Sequence, residues 1–387
     1  MIDRIAIAGY RSLRAIVLRL ESLTVVSGPN GSGKSNIYRA LQLLAKTADG
    51  DLVSSLATEG GLESVLWAGP ETITNEMKAG HVPVQGTIRK KPVSLKLGML
   101  AEPFSYCVDL GLPVPAGSMF DRDPEVKREC LWAGQGMETR QLCADRRGSG
   151  LRCRSGKGKW QEVEMSFSRQ SSMLAEYSDP FAAPELIVMR DVLRSWRFYD
   201  SFRTDRYAPA RGVSVGTFTP IMSSDGHDLA AAIQTIREIG DARALDTAVD
   251  DAFPGSRVAI QAVEGGLQLH LDQPGMLRPL AAAELSDGTL RFLLLIAALL
   301  TPREPALMIL NEPENSLHPD LLPALSRLIV AASERTQVIV VTHSQQLRQN
   351  LEVEGLAASI RLYKELGETL IEDGNMLDQL GWKWPPR

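Results

Sequence analysis

Two short stretches of the sequence carry residues that could act on a phosphate chain. The first, Gly28-Pro29-Asn30-Gly31-Ser32-Gly33-Lys34-Ser35, fits the spacing G-x-x-x-x-G-K-[ST] in full. Glycines at such positions let backbone N–H groups converge on phosphate oxygens where a Cβ would clash. Lys34 would reach the β and γ phosphates of ATP, and Ser35 would offer its hydroxyl to Mg²⁺. The run Asn30, Gly31, Ser32, Gly33, Lys34, Ser35, Asn36 is therefore read as the nucleotide-binding loop. The second stretch is Leu307-Met308-Ile309-Leu310-Asn311-Glu312. Its apolar run reads as a buried parallel strand, and the C-terminal ends of such strands face the ligand crevice. Asn311 stands where nucleotide hydrolases commonly place an aspartate. Its amide oxygen can accept from a metal-bound water but adds no negative charge, so Mg²⁺ affinity should be weakened rather than lost. Glu312, one residue further on, can orient an attacking water and act as its base.

Both stretches need elements to hold them. Leu23-Thr24-Val25-Val26 is a short β-rich run before the loop, and Ile37, Ala40, Leu41 and Leu44 repeat at helical spacing after it. That helix aims its positive end at the same anion. Ile2 to Ala8 alternates weakly and suits a strand. Residues 80–165 carry short β-like runs punctuated by Gly and Pro, the texture of an antiparallel region. Residues 170–205 turn helical, Ala208 to Gly226 reads as a surface connection, Asp228 to Phe253 as helices, and Val258 to Leu271 as a hairpin around Gly265-Gly266. The final third alternates helix 285–300, strand 306–310, helix 319–332 and strand 337–341. That order implies parallel strands joined by crossover helices.

Composition bounds the partners. The 387 residues hold 42 Lys and Arg against 47 Asp and Glu, a net charge of −5, so no whole-molecule field attracts nucleic acid. Local charge differs: Arg140, Arg146, Arg147, Arg152, Arg154, Lys157 and Lys159 face only Asp145 between Arg140 and Lys159. This segment suits phosphate contacts with DNA, or is simply a solvated loop. Phe292 to Leu300, the longest apolar run, is too short to span a bilayer, so no membrane role is expected. Asp3, Arg4, Arg11 and Arg14 do not suit a secretory signal, and four cysteines without a Cys-x-x-Cys pair suit free thiols; a cytoplasmic location is expected.

Five segments occur in a telling order: Tyr10-Arg11-Ser12-Leu13, Gly28 to Asn36, Leu285-Ser286-Asp287-Gly288-Thr289, Asn311-Glu312-Pro313-Glu314-Asn315-Ser316-Leu317-His318-Pro319, and Val340-Val341-Thr342-His343-Ser344. Together they resemble the ATPase heads of the ABC superfamily. The nearest branch is the RecF-like and SMC-like chromosome and repair ATPases, with the related single-chain ATPases of defence systems. The resemblance spans about residues 1–50 and 280–350; the middle is unmatched by motif. It implies an α/β ABC-type head: a mostly parallel core sheet flanked by helices, an antiparallel β subregion and a helical insert. The expected division is a nucleotide-binding lobe over 1–165, a helical insert and connection over 166–235, and a second lobe over 236–387.

The resemblance also implies roles. ATP and Mg²⁺ would be the cofactors, and two copies would sandwich two nucleotides in an ATP-dependent homodimer. Leu285 to Thr289 would be the signature motif; Ser286 and Gly288 keep the usual Leu-Ser-Gly-Gly-Gln, while Asp287 and Thr289 depart from it. Ser286 also suits an N-cap, and N–H groups there could bind the γ phosphate held by the other copy. His343 would be the switch histidine, completing a catalytic set with Lys34 and Glu312. Arg11 would sense nucleotide or partner, or be a solvated arginine. The glutamine loop has no clear match; Gln170, opening the helical middle, is the candidate on the metal side. Hydrolysis would remove the bridging phosphate and loosen the dimer, slowly given Asn311. The clamp would hold DNA in repair or chromosome maintenance, or act through a protein partner such as a nuclease in a defence or toxin system.

Overall fold

The computed structural model describes residues 1–89, 92–154, 158–200, 202–353, 357–372 and 382–387. The chain divides into two compact units. The first holds Met1–Glu21, Gly28–Trp196 and Ile360–Arg387; the second holds Ser22–Ser27 and Arg197–Ser359. Residues 166–235 are divided between the two: 166–196, with the helix Pro184–Ser195 packed on the helix Lys34–Lys46, belong to the first unit, and 197–235 to the second.

The first unit is built on an antiparallel sheet of β1 (Ile2–Tyr10), β2 (Leu13–Arg19), β4 (Leu95–Ala101), β5 (Phe104–Gly111), β6 (Glu125–Ala133), β7 (Leu142–Arg147), β8 (Gly150–Arg154) and β9 (Trp160–Glu162), in the order β2-β1-β4-β5-β6-β7-β8-β9. This is the antiparallel region expected from the Gly and Pro punctuation, extended by β1 and β2. The helix Lys34–Lys46 buries Ile37, Tyr38, Ala40, Leu41 and Leu44 and leaves Ser35 and Arg39 exposed. At 3.6 residues per turn those positions form one stripe. A late hairpin, β16 (Ala357–Glu365) and β17 (Glu368–Ile371), was not anticipated; its tight turn uses Leu366 and Gly367, both at positive φ.

Charge is buried in this sheet. Glu129 and Arg146 have fully buried side chains and pair across β6 and β7 at 3.3 Å. Glu129 also accepts from Tyr106 Oη at 2.5 Å, from the Ser172 hydroxyl, and from Met173 N at 2.8 Å. Arg146 in turn donates to the carbonyls of Gly148, Ser168 and Ser171. Every charge here has a partner, as burial demands. The four cysteines are unbridged; burial pushes the Cys143 thiol up to about 11 and the Cys153 thiol to about 12, so both stay protonated at neutral pH.

The second unit carries parallel strands in the order β10 (Arg197–Tyr199), β14 (Leu307–Asn311), β15 (Gln337–Val341), β3 (Leu23–Ser27). The last three are apolar and wholly buried except for Asn311, as parallel strands covered on both faces must be. Their register is level: Asn311 lies beside Val341, and Val341 beside Val26. A separate antiparallel sheet joins β11 (Arg257–Val263), β12 (Gly266–Asp272) and β13 (Leu280–Ala281). At the centre lies the helix Asp287–Leu299, buried throughout from Leu290 to Leu299 and packed by the helices Leu229–Ile239, Ala242–Ala252 and Leu322–Ser333. Each fully buried Leu or Phe there contributes roughly 1.5–3 kcal/mol. Among the described residues, no helix is long and apolar enough to cross a membrane.

Candidate functional site

The phosphate loop lies in the first unit. Gly31 and Gly33 have φ of +79° and +108°, conformations that L side chains rarely adopt. A Cβ on Gly31 would meet nothing within 4 Å. Gly33 is the N-cap of the helix Lys34–Lys46, and no side chain caps that helix. Among the described residues, the N–H groups of Gly31 and Gly33 find no protein acceptor, while Ser32 Oγ is buried without a partner. Lys34 Nζ folds back onto the carbonyls of Gly28 (2.6 Å) and Pro29 (3.1 Å), which closes the loop into a ring. Uncommitted N–H groups and an orphaned hydroxyl beside a lysine fit an anion. The donor set therefore fits the phosphates of a nucleotide, with the exposed Ser35 hydroxyl available to its Mg²⁺.

The second unit holds the carboxylates. Glu312 follows β14 in the left-handed region at φ +48°, its N–H bonded to Val341 O at 2.7 Å. Asn315 Nδ2 donates to its Oε2 at 2.7 Å, and His343 Nδ1 lies 3.4 Å from its Oε1. Glu312 and His343 are thus brought together. Sequence reasoning gave Glu314 no role. Its Oε1 accepts from the Thr342 hydroxyl, from His343 N at 3.2 Å and from Ser344 N at 3.1 Å. A buried carboxylate thereby fixes the turn that carries His343. Arg291, also unassigned from sequence, is buried and donates to Glu312 O at 3.2 Å and Phe202 O at 3.4 Å. Burial pulls its guanidinium below the usual range, against the charges of Asp200, Glu314 and Glu312.

Asn311 has a neighbour the sequence did not reveal. Tyr199 pairs with Leu310, so Asp200 follows β10 beside Asn311, and Asn311 Nδ2 donates to Asp200 Oδ1 at 2.9 Å. That bond turns the amide oxygen of Asn311 away from Asp200. A carboxylate is present on this edge, one strand over from its expected place. Only the three-residue strand β10, inside a stretch that reads as helical, could have signalled it.

Gln170 has a hydrogen-bond partner of its own. It sits on an exposed turn of the first unit, ahead of the short helix Met173–Glu176, and its Nε2 donates to Asp123 at 3.4 Å. Arg11 is half-buried at φ +47°, with Nη2 on Glu59 Oε2 at 2.7 Å, where Tyr10 Oη also donates. Its guanidinium is thus held on a carboxylate. Ser286 is the N-cap of the helix Asp287–Leu299, accepting from Thr289 N at 3.2 Å. Thr289 adds a hydroxyl contact to Ser286 at 2.8 Å, and Asp287 pairs with Arg211 at 2.7 Å. Both departures from the usual signature thus carry local bonds. A Cβ on Gly288 would lie 3.1 Å from Ser316 O, so the small residue lets that loop approach.

The basic segment is mostly spoken for. Arg146 is buried on Glu129, Arg147 and Arg152 share Asp145, Arg140 pairs with Glu138, and Arg154 donates to the carbonyls of Thr139 and Arg140. Arg152 and Arg154 also stack on Trp160. Lys159 remains exposed, and Lys157 lies outside the described residues.

The model of the family described as "AAA domain, putative AbiEii toxin, Type IV TA system" matches residues 23–348. No curated protein matches. Among solved structures, an Smc head bound to the C-winged helix domain of ScpA aligns with a TM-score of 0.50 at 14% identity, covering 96% of this chain and 97% of that one. The SMC head domain from Thermotoga maritima aligns with a TM-score of 0.46 at 16% identity over 97% and 99% of the two chains. The motifs at the strand ends, the parallel order around them and a match over most of the chain agree: this protein belongs to that AAA-domain family and has the fold of an ABC/SMC-like ATPase head.

Proposed function

We propose that this chain binds Mg-ATP, hydrolyses it slowly, and closes on a second copy of itself while the triphosphate is intact. The observation that supports this most is the level ending of β3, β15 and β14 at Val26, Val341 and Asn311. Ser27 runs directly into the phosphate loop, His343 follows β15, and Glu312 follows β14. Loop N–H groups and Lys34 bind the β and γ phosphates, Glu312 orients and deprotonates water, and His343 positions the γ phosphate. Bound magnesium supplies charge stabilisation to the transferring phosphoryl group. Ser286 and Gly288 of one copy contact the γ phosphate held by the other, so ATP favours the closed dimer by binding it better.

Light scattering after size exclusion tests this with the wild type and Glu312→Gln. The variant should be dimeric with Mg-ATP and monomeric with ADP or no nucleotide. The wild type should fall back to monomer as ATP is consumed. Monomer with ATP bound in every condition overturns the clamp; no uptake of ATP overturns the nucleotide reading.

For the clamp's partner, the internally paired arginines of Arg140–Lys159 weaken the DNA reading. A protein partner, as in a defence or toxin system, is the second reading, and the family's description agrees with it. Salt-sensitive DNA binding that needs ATP would restore the first.

The Asn311–Asp200 pair suggests that Asp200 supplies the charge Asn311 lacks. Asp200→Asn should raise the Mg²⁺ concentration needed for ATP binding by about tenfold. Exchanging the two residues (Asp200→Asn with Asn311→Asp) should restore it. Titrating Mg²⁺ against bound fluorescent ATP distinguishes the outcomes; a single variant indistinguishable from wild type removes Asp200 from the site.

A further inference from the structure

The phosphate loop rests on a part of the chain that lies beyond the family match, which ends at residue 348. Thr369 of β17 donates its hydroxyl to Ser32 O at 2.7 Å. Ser12 Oγ, also outside the match, is 2.7 Å from Thr369 Oγ1, and Asn36 Nδ2 donates to Ser12 Oγ at 2.8 Å. The donors fix one direction along the chain. Asn36 has only N–H to give and Ser32 O only accepts, so protons point from Asn36 to Ser12, to Thr369, to Ser32. Thr369 N also donates to Ser12 O at 2.8 Å. Both hydroxyl residues are buried.

Two glycines of the loop are pressed against the same hairpin. A Cβ on Gly33 would lie 2.1 Å from Thr369 Oγ1, and one on Gly28 would lie 2.4 Å from Leu362 O of β16. These contacts leave no room for a side chain, so β16 and β17 form the floor of the loop. A peptide unit is planar, with its C=O and N–H pointing in opposite directions. Holding the Ser32 carbonyl onto the floor therefore turns the Gly33 N–H outward, toward the anion.

We infer that Thr369 is a positioning residue for nucleotide binding: through Ser12 and Asn36 it presets the phosphate loop by pinning the Ser32–Gly33 peptide. This rests on the reading of the loop as an ATP site, given above. Preorganised donors bind without an ordering penalty, so loss of the pin should weaken phosphate binding specifically.

Thr369→Val keeps the shape and removes the hydroxyl; Thr369→Ser keeps the hydroxyl. Calorimetry on the full chain should show ATP and ADP binding roughly tenfold weaker in Thr369→Val, with AMP changed less than about twofold. Thr369→Ser should match the wild type. Hydrogen exchange without nucleotide should quicken at residues 28–36 in Thr369→Val and not elsewhere. The inference is overturned if Thr369→Val binds ATP as the wild type does, if ATP and AMP weaken together, or if Thr369→Ser loses as much. Should the wild type take up no ATP, the nucleotide reading fails instead. The exchange rates alone then decide whether the pin exists: unchanged protection over 28–36 removes it.

Discussion

Glu312→Gln should lower ATP turnover by roughly 10²–10⁴-fold, the range typical for loss of a general base. The amide is nearly isosteric and keeps an oxygen to accept from Asn315 Nδ2, which now lies 2.7 Å from Glu312 Oε2. The bond from Glu312 N to Val341 O belongs to the backbone and survives the change. What is lost is the negative charge, and with it the ability to take a proton. Nucleotide affinity should therefore move by less than about threefold, since ground-state contacts are retained. Phosphate release under multiple turnover, set beside equilibrium binding, reads both quantities. A variant that hydrolyses at the wild-type rate would show that another group activates the water. One that loses binding and turnover equally would show that Glu312 holds nucleotide instead.

The second large effect concerns the lobe that carries the loop. In Glu129→Ala the guanidinium of Arg146 stays charged in a site with no solvent exposure. Its three carbonyl partners orient it but do not neutralise it. The variant should lose about 3–5 kcal/mol, the usual result of breaking a buried pair from one side. For a unit of this size that corresponds to a melting point lower by roughly 6–20 °C. Glu129→Gln keeps hydrogen-bond acceptors and should lose less. Glu129 accepts from Tyr106, and the Tyr106 hydroxyl also interacts with Thr47 at the end of the helix that starts the phosphate site. Loosening should therefore reach the nucleotide. Calorimetric melting of both variants checks the ranking; a Glu129→Ala protein that melts with the wild type would mean the pair is dispensable.

The legible parts of this fold were local ones. The phosphate loop is contiguous, and its glycines, lysine and serine announce it without help from the rest of the chain. The strands Leu307–Asn311 and Gln337–Val341 were equally plain, because burial on both faces leaves an unbroken apolar run. Distance along the chain hid the rest. Ser12 and Thr369 are 357 positions apart, and neither type of residue advertises a partner. Asp200 follows a strand of three residues, too short to show any period. The basic run hid its partners for a related reason. Its window contained one acid, yet Glu129 and Glu138 stand outside it in sequence and beside it in space. The division into units is hidden in the same way: Ser22–Ser27 bond to β15 and so belong to a different unit from the residues that flank them in sequence.

Glutamate 312 sits at φ +48°, a backbone shape that suits glycine or asparagine. Holding an ordinary side chain there costs on the order of 1–2 kcal/mol. Robustness to heat and chemical competence therefore pull this codon in opposite directions. A mutant library sorted on melting temperature alone would drift toward Gly or Asn at this position, and its winners would be sturdier molecules that hold nucleotide and leave it uncut.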